Sequence, residues 1–383
     1  MTGSAQRPRA IVAHGIWGRG GAEAAAMWII AALVEDFEVT VHTRGGFDLA
    51  ALNALAGTRI APGAVTLRMA GVEDRLPIGA LAAGRFLRSL QGAGADYDLC
   101  VSASGILPWG RPALHFLSSI DCDPRLAAGR GHKGRRSPRA RLSDLVQRAA
   151  AGIPPAEGGG LFVANSEWLA GVCAPVCSGP VEVIHPAVVA PPPGAPWDRR
   201  DDTVLVFGRI APEKRVETCI RIVERARASG FGGGLVIAGP EGTADYAARI
   251  RAQAQGRDWI TVLPARTGAD RDALLGRVRY GLNACETEAF GISTAEMTAA
   301  GAVVLVPQGT GQGEIVPDPF QHYRSEEEAA AKLVALGRDG ALQRRLHAEA
   351  LARRDRFGPD RFVGHVRRVA ERALSLTRPG GPD

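Results

Sequence analysis

Twice along the chain, short runs of Val, Ile, Leu and Ala alternate with longer amphipathic stretches, and a proline-rich break separates the two series. The pattern implies parallel strands, because helix patterns lie between several of the strand runs, as crossover connections require. Strands in such sheets are covered on both faces, which explains runs without polar alternation. In the first series the expected strands are 9–14, 38–43, 65–69, 99–103, 113–118, 162–165 and 181–185. In the second they are 203–207, 234–238, 259–263, 280–284 and 302–306, with helices expected over 214–229, 244–255, 270–278 and 293–300.

At 383 residues the chain suits two domains of roughly 150 to 200 residues each. Residues 191–202 (PPPGAPWDRRDD) have linker composition. The expected organisation is therefore residues 1–190 as one Rossmann-like, doubly wound α/β domain, 191–202 as linker and 203–357 as a second such domain. Residues 358–383 form a terminal helix and tail. Paired domains of this kind would hold a ligand in the cleft they face, near the carboxyl ends of their strands.

The N-terminus lacks an apolar leader, and the longest apolar run is too short to cross a bilayer, so the expectation is a cytoplasmic protein. The six cysteines are scattered. Only Cys173 and Cys177 lie close together, without a second pair or a histidine to complete a metal site, so reduced thiols are expected. The formal charge of +6 comes without aromatic-basic interleaving or a recognition helix, which argues against nucleic acid and for an anionic ligand or surface.

Lysine is scarce. Of 46 basic residues only Lys133, Lys214 and Lys332 are lysine. Lys214 falls in VLVFGRIAPEKRVETCIRI, where a strand ends in Gly208 and Arg209 and a helix follows. A guanidinium fork and a compact ammonium at the carboxyl edge of a strand would stabilise a departing diphosphate. Downstream, Glu288 and Glu296 in ETEAFGISTAEMTAAG are separated by seven residues. Phe290, Gly291 and Ile292 between them should form the turn that opens a helix, whose free N–H groups can meet phosphates while the carboxylates accept hydrogen bonds from hydroxyls.

The order GGAE, NS, GRIAPEK, IAG, ETEAFGISTAEMTAAG, across about residues 10 to 316, resembles that of the family-4 retaining glycosyltransferases. The resemblance implies the GT-B architecture, with the C-terminal helices packing back on the N-terminal domain. It also implies a nucleoside-diphosphate sugar as donor and no cofactor or catalytic metal. Arg209 and Lys214 would bind the donor diphosphate, Glu288 the sugar hydroxyls and Glu296 the ribose. Main-chain amides around Phe290, Gly291 and Ile292 would face the sugar and phosphates, and Gly239 of the IAG segment would line the same site. Gly20 and Gly21 match the glycine-rich first loop that approaches the donor phosphates. A dinucleotide fingerprint is the rival there, but Glu23 occupies its third glycine position.

His115, in ALHFLSSID, resembles the family histidine near the reactive centre of the donor sugar; a buried structural histidine is the alternative. Glu314, in GTGQGEIV, lies where the family has a glutamate opening a helix near the donor. Asp121 and Asp123 form an Asp-x-Asp triplet, a pattern repeated at Asp96 and Asp270 and therefore weak as a metal motif. Ser166 should cap a helix, with Asn165 beside it. Residues 125–149 carry eight basic residues against one acidic residue, Asp144, with Leu142, Leu145, Val146 and Ala149 on one helical face. That segment suits an acceptor loop, a peripheral contact with an anionic membrane face, or a solvated basic loop.

The expected function is transfer of a glycosyl unit, with retention, to an acceptor glycan, lipid-linked sugar or small molecule. A nucleotide-sugar hydrolase or epimerase on the same fold, or a non-catalytic partner subunit, are the alternatives.

Overall fold

The computed structural model describes residues 7–70, 79–122, 126, 138–152 and 159–377. The chain divides into two compact units, residues 1–187 with 359–383, and residues 188–358.

In the first unit the chain runs β1 (Arg9–Ala13), α1 (Gly21–Leu33), β2 (Glu38–Thr43), α2 (Leu49–Ala56), β3 (Val65–Met69), α3 (Gly79–Ala93), β4 (Leu99–Ser102) and β5 (Ala113–Leu117). It continues through α4 (Pro138–Ala151), β6 (Gly160–Ala164), α5 (Glu167–Cys173) and β7 (Val181–Val183). All described strand pairs are parallel, in the order β3-β2-β1-β4-β5-β6-β7. Residues Ala10 to Ala13 of β1 have no exposed surface, as expected for an apolar run covered on both faces.

The second unit contains β8 (Asp201–Phe207), α6 (Val216–Ala228), β9 (Gly234–Ala238), α7 (Ala244–Ala254), β10 (Ile260–Leu263), α8 (Gly268–Arg277) and β11 (Val278–Leu282). There follow α9 (Ile292–Ala299), β12 (Val303–Pro307), β13 (His322–Tyr323), α10 (Glu326–Arg338) and α11 (Gly340–Ala352). Its order is β10-β9-β8-β11-β12-β13, again parallel throughout. The order reverses direction between β8 and β11, so the loops after those two strands leave the sheet side by side. In sheets of this type that is where ligands bind.

The last helix, α12 (Pro359–Thr377), belongs to the first unit. Phe362, Val366, Val369, Ala370 and Ala373 enter its core with Met27 and Ile30 of α1, and Arg367 Nε donates to Ala32 O at 3.1 Å.

Residues 191–202 differ from the expected linker. Trp197 is buried in the second unit's core, with its indole N–H donating to Gln343 at 3.1 Å, and β8 already begins at Asp201. Arg200 is 4% exposed and donates to three carbonyls, Ala195 O at 2.9 Å, Val278 O at 3.2 Å and Ala300 O at 2.6 Å. The last of these lies at the carboxyl end of α9, where a cation also suits the helix dipole. Replacing Arg200 with methionine removes three hydrogen bonds, two of them buried, and should cost about 3 kcal/mol. Urea unfolding checks this, and a change under 1 kcal/mol would contradict the assigned role.

Candidate donor site

The site is built where the sheet order of the second unit reverses. Strand β8 ends at Phe207, and Gly208 follows with φ 128°, a conformation open to glycine. Next to it Gly239, after β9, has no room for a side chain: a Cβ there would overlap the Gly208 carbonyl. This close approach is why a glycine follows β9, and it fixes the path of the chain into Arg209.

A single 3₁₀ turn, Pro212–Lys214, comes before α6, so Lys214 stands ahead of the helix and not within it as expected. The break arises at Arg215, which adopts the left-handed conformation with φ 50° and ψ 47°. Val216 N–H is then received by the Tyr246 hydroxyl at 2.9 Å, and that hydroxyl donates to Glu217.

Opposite lies the loop after β11. Lys214 Nζ pairs with Glu288 Oε2, joining residues 74 apart in sequence, and the two side chains are 27% and 14% exposed. Burial works against the Lys214 ammonium, but the neighbouring Glu288 carboxylate outweighs it and raises the pKa above its usual value. Arg209 is 53% exposed and pairs with Glu213 at 2.7 Å. Arg215 pairs with Glu286.

Gly291, with φ 97°, provides the left-handed N-cap of α9. Its other constraint is space, since a Cβ would sit 3.0 Å from Gln312 Cγ and 3.3 Å from Glu288 Cγ. Gln312 has no exposed surface; it accepts from the Thr294 hydroxyl at 2.7 Å. Gly311 N–H donates to Glu288 O at 3.0 Å, so the segment around Gln312 holds the Glu288 loop from behind. Phe290 is buried edge-on against Phe357 at 5.1 Å, which leaves it an anchor for the loop through its ring. Ile292 opens α9. Glu314 ends the 3₁₀ turn Gly311–Glu314 behind the loop and is half-buried.

Glu296, one turn into α9, pairs with Arg271 Nη1 of α8 at 3.1 Å, and Arg271 also holds Asp272 at 2.7 Å. Burial pushes the Glu296 carboxyl up to about 7; Arg271 opposes the shift and Asp272 adds to it. This folded value lies above the ordinary 4.5 of the unfolded chain, so the protonated carboxyl favours the fold. The contribution is fully present below about pH 4.5 and disappears as pH rises through about 7, a change of about 3 kcal/mol. Glu296→Gln should remove that slope. Unfolding midpoints from pH 4 to 8 in both proteins test it, and parallel curves would contradict the assigned burial.

The residues proposed from sequence for the first unit are His115, Gly20 and Gly21. His115, on β5, has no exposed surface, its Nδ1 lies 2.9 Å from the Ser102 hydroxyl and its ring stacks on Phe162 at 5.2 Å. Burial pushes its pKa down to about 4, keeping it neutral. With no exposed surface and, among the described residues, no hydrogen-bond partner for its Nε2, the imidazole is enclosed in the sheet, which fits the structural alternative for His115 rather than the catalytic one. Gly20 caps α1 and Gly21 begins it, but Glu23 turns back on them: a Cβ on Gly20 would come 2.9 Å from Glu23 Oε2. Glu23 Oε1 also lies 3.8 Å from His14 Nε2. A carboxylate already stands at this helix start.

Ser166 caps α5 by accepting from Leu169 N at 3.0 Å, and Asn165 donates to Ser118 O at 3.2 Å. Asp121 is exposed, whereas Asp123 and much of 125–149 lie outside the described residues; Leu142 and Leu145 of α4 are exposed. Among the described residues no helix is long and apolar enough to cross a membrane.

Sequence reasoning missed Glu213, Arg215, Arg271, Glu286, Thr294 and Gln312. Glu213 could have been found, lying four residues after Arg209. The others join segments far apart in the chain and carry no local signal.

Residues 167–378 match the family described as "Family 4 Glycosyltransferase in conflict systems". No curated protein matches the chain. Among solved structures, the lipopolysaccharide glycosyltransferase WaaG is similar at 16% identity and TM-score 0.67, covering 97% of this chain and 100% of that one. Anabaena HepE in complex with UDP-glucose gives the same values. Sucrose-phosphate synthase from Thermosynechococcus elongatus gives 16% identity and TM-score 0.70, covering 96% and 100%. These likenesses establish the fold as GT-B, with two Rossmann-like domains. With the family match extending over more than half of its length, the chain belongs to the family 4 glycosyltransferases of conflict systems.

Proposed function

We propose that the protein transfers a sugar, with retained anomeric configuration and without a catalytic metal, from a nucleoside diphosphate to an acceptor hydroxyl. The observation that carries this reading is the Lys214–Glu288 pair at the carboxyl ends of β8 and β11, with Arg209 on the same strand end. UDP and UDP-glucose, found in the HepE structures, are the first donors to try.

In this reading Arg209 and Lys214 hold the diphosphate, and their charge counts for more as the glycosidic bond lengthens and negative charge gathers on the departing oxygen. Glu288 accepts hydrogen bonds from the sugar hydroxyls and orients the ring. Glu296 receives the ribose hydroxyls. Main-chain N–H groups of Gly291 and Ile292, at the start of α9, face the sugar and phosphates, beside Gly239. The departing phosphate oxygen takes the acceptor proton on the face it leaves, so no protein nucleophile is required.

Exposed Leu142 and Leu145, within a segment rich in arginine, support a lipid-linked or anionic acceptor and a peripheral contact at the inner face of the membrane from the cytoplasm. Incubation with UDP-, GDP- and ADP-sugars tests the reading. The expected result is slow hydrolysis of one donor class, with the released sugar first appearing in the donor's own anomeric form. Release of the inverted anomer would contradict retention.

A further inference from the structure

Arg215 is the one non-glycine residue with positive φ among the described residues. Glycine would adopt this conformation without steric cost, whereas an L side chain there is strained. The ion pair with Glu286 offsets little of that strain, because the two side chains are 36% and 67% exposed and water screens them. The turn is held by other means: Tyr246 receives Val216 N–H, and Thr218 and Cys219 N–H donate to Arg215 O at 2.9 and 3.3 Å. Glu326 and Tyr323 also lie within electrostatic reach of the guanidinium, but at this partly exposed position such interactions are screened, and its own fold gains little from it.

Its location suggests what it does. Arg215 follows Lys214 directly, and their partners Glu286 and Glu288 are two residues apart on one loop, so the two ion pairs are neighbouring rungs between the same two segments. The inner rung is largely buried and contains the carboxylate assigned to the donor sugar. The outer rung is exposed, and Glu286 places a carboxylate on Arg215 where a ligand's carboxylate could replace it.

We propose that Arg215 selects a donor sugar bearing a carboxylate, a uronic acid, by exchanging Glu286 for the acid group of the sugar. The proposal rests on the reading of Lys214 and Glu288 as the donor site. A fork of N–H groups on a carboxylate is a charge-assisted contact, sufficient for about tenfold in affinity at a partly exposed position.

The test uses the full chain and the glucose and glucuronate forms of whichever of UDP, GDP or ADP it binds, with the two dissociation constants compared by calorimetry. Wild type should bind the glucuronate form about tenfold more tightly. In Arg215→Asn, which keeps a residue tolerant of the left-handed conformation, the preference should vanish, and Arg215→Lys should restore part of it. Glu286→Gln should strengthen the preference. Equal affinities in wild type, or a preference unchanged in Arg215→Asn, would overturn the proposal while leaving the donor site standing. Absence of binding to any of the three nucleotides would instead remove the donor site itself.

Discussion

Replacing Lys214 with alanine is expected to lower kcat/KM for sugar transfer by about a thousandfold. The ammonium is the better enclosed of the two cations proposed for the diphosphate, 27% exposed against 53% for Arg209, and enclosed charge is less screened. Its removal has a second consequence, because Glu288, only 14% exposed, loses its counter-ion. Steady-state kinetics and nucleotide titration together check the prediction. Arginine should not rescue the variant, since a planar fork does not replace a compact ammonium in contact with Glu288. A loss below tenfold would show that Lys214 is not at the departing group.

The second large effect separates the two halves of the pair. Glu288→Gln retains the shape of the side chain but releases Lys214 from its carboxylate. Nucleoside diphosphate should then bind several-fold more tightly, because the phosphate no longer competes with Glu288 for the ammonium. Transfer should nevertheless fall about a hundredfold, because the amide no longer accepts from the sugar hydroxyls on both oxygens. Tighter nucleotide binding with slower transfer is a signature that simple structural damage would not produce. If both affinity and transfer fell together, Glu288 would be a scaffold for the loop.

The sequence carries much of the geometry around Lys214 and Glu288. The strand pattern locates the carboxyl ends of β8 and β11, and the motif residues identify Lys214 and Glu288, which the fold brings into contact across 74 residues. Legibility fails where a residue's environment comes from distant segments. Arg215 carries no mark of its left-handed backbone, since the signal for that conformation is glycine, and the expected helix therefore began too early. The proline-rich stretch 191–202 has linker composition, yet Trp197 and Arg200 anchor it through Gln343, Val278 and Ala300, contacts no local window contains. His115 shows the same difficulty in reverse. Its motif suggests an active-site group, and only the Ser102 contact and the stacked Phe162 reveal a buried one.

The Arg209–Glu213 and Lys214–Glu288 pairs share a physical consequence. Each cation assigned to the diphosphate already has a carboxylate partner, so ligand binding is an exchange of anions and not the filling of an unbalanced positive surface. Affinity for nucleoside diphosphate should therefore be moderate and should weaken as ionic strength rises.

The most direct measurement is calorimetric titration of UDP, GDP and ADP into the wild-type protein and into Lys214→Ala. One nucleotide should bind wild type at a single site, and its affinity should fall at least thirtyfold in the variant. No binding to any of the three, or binding indifferent to Lys214, would contradict a donor site at the ends of β8 and β11.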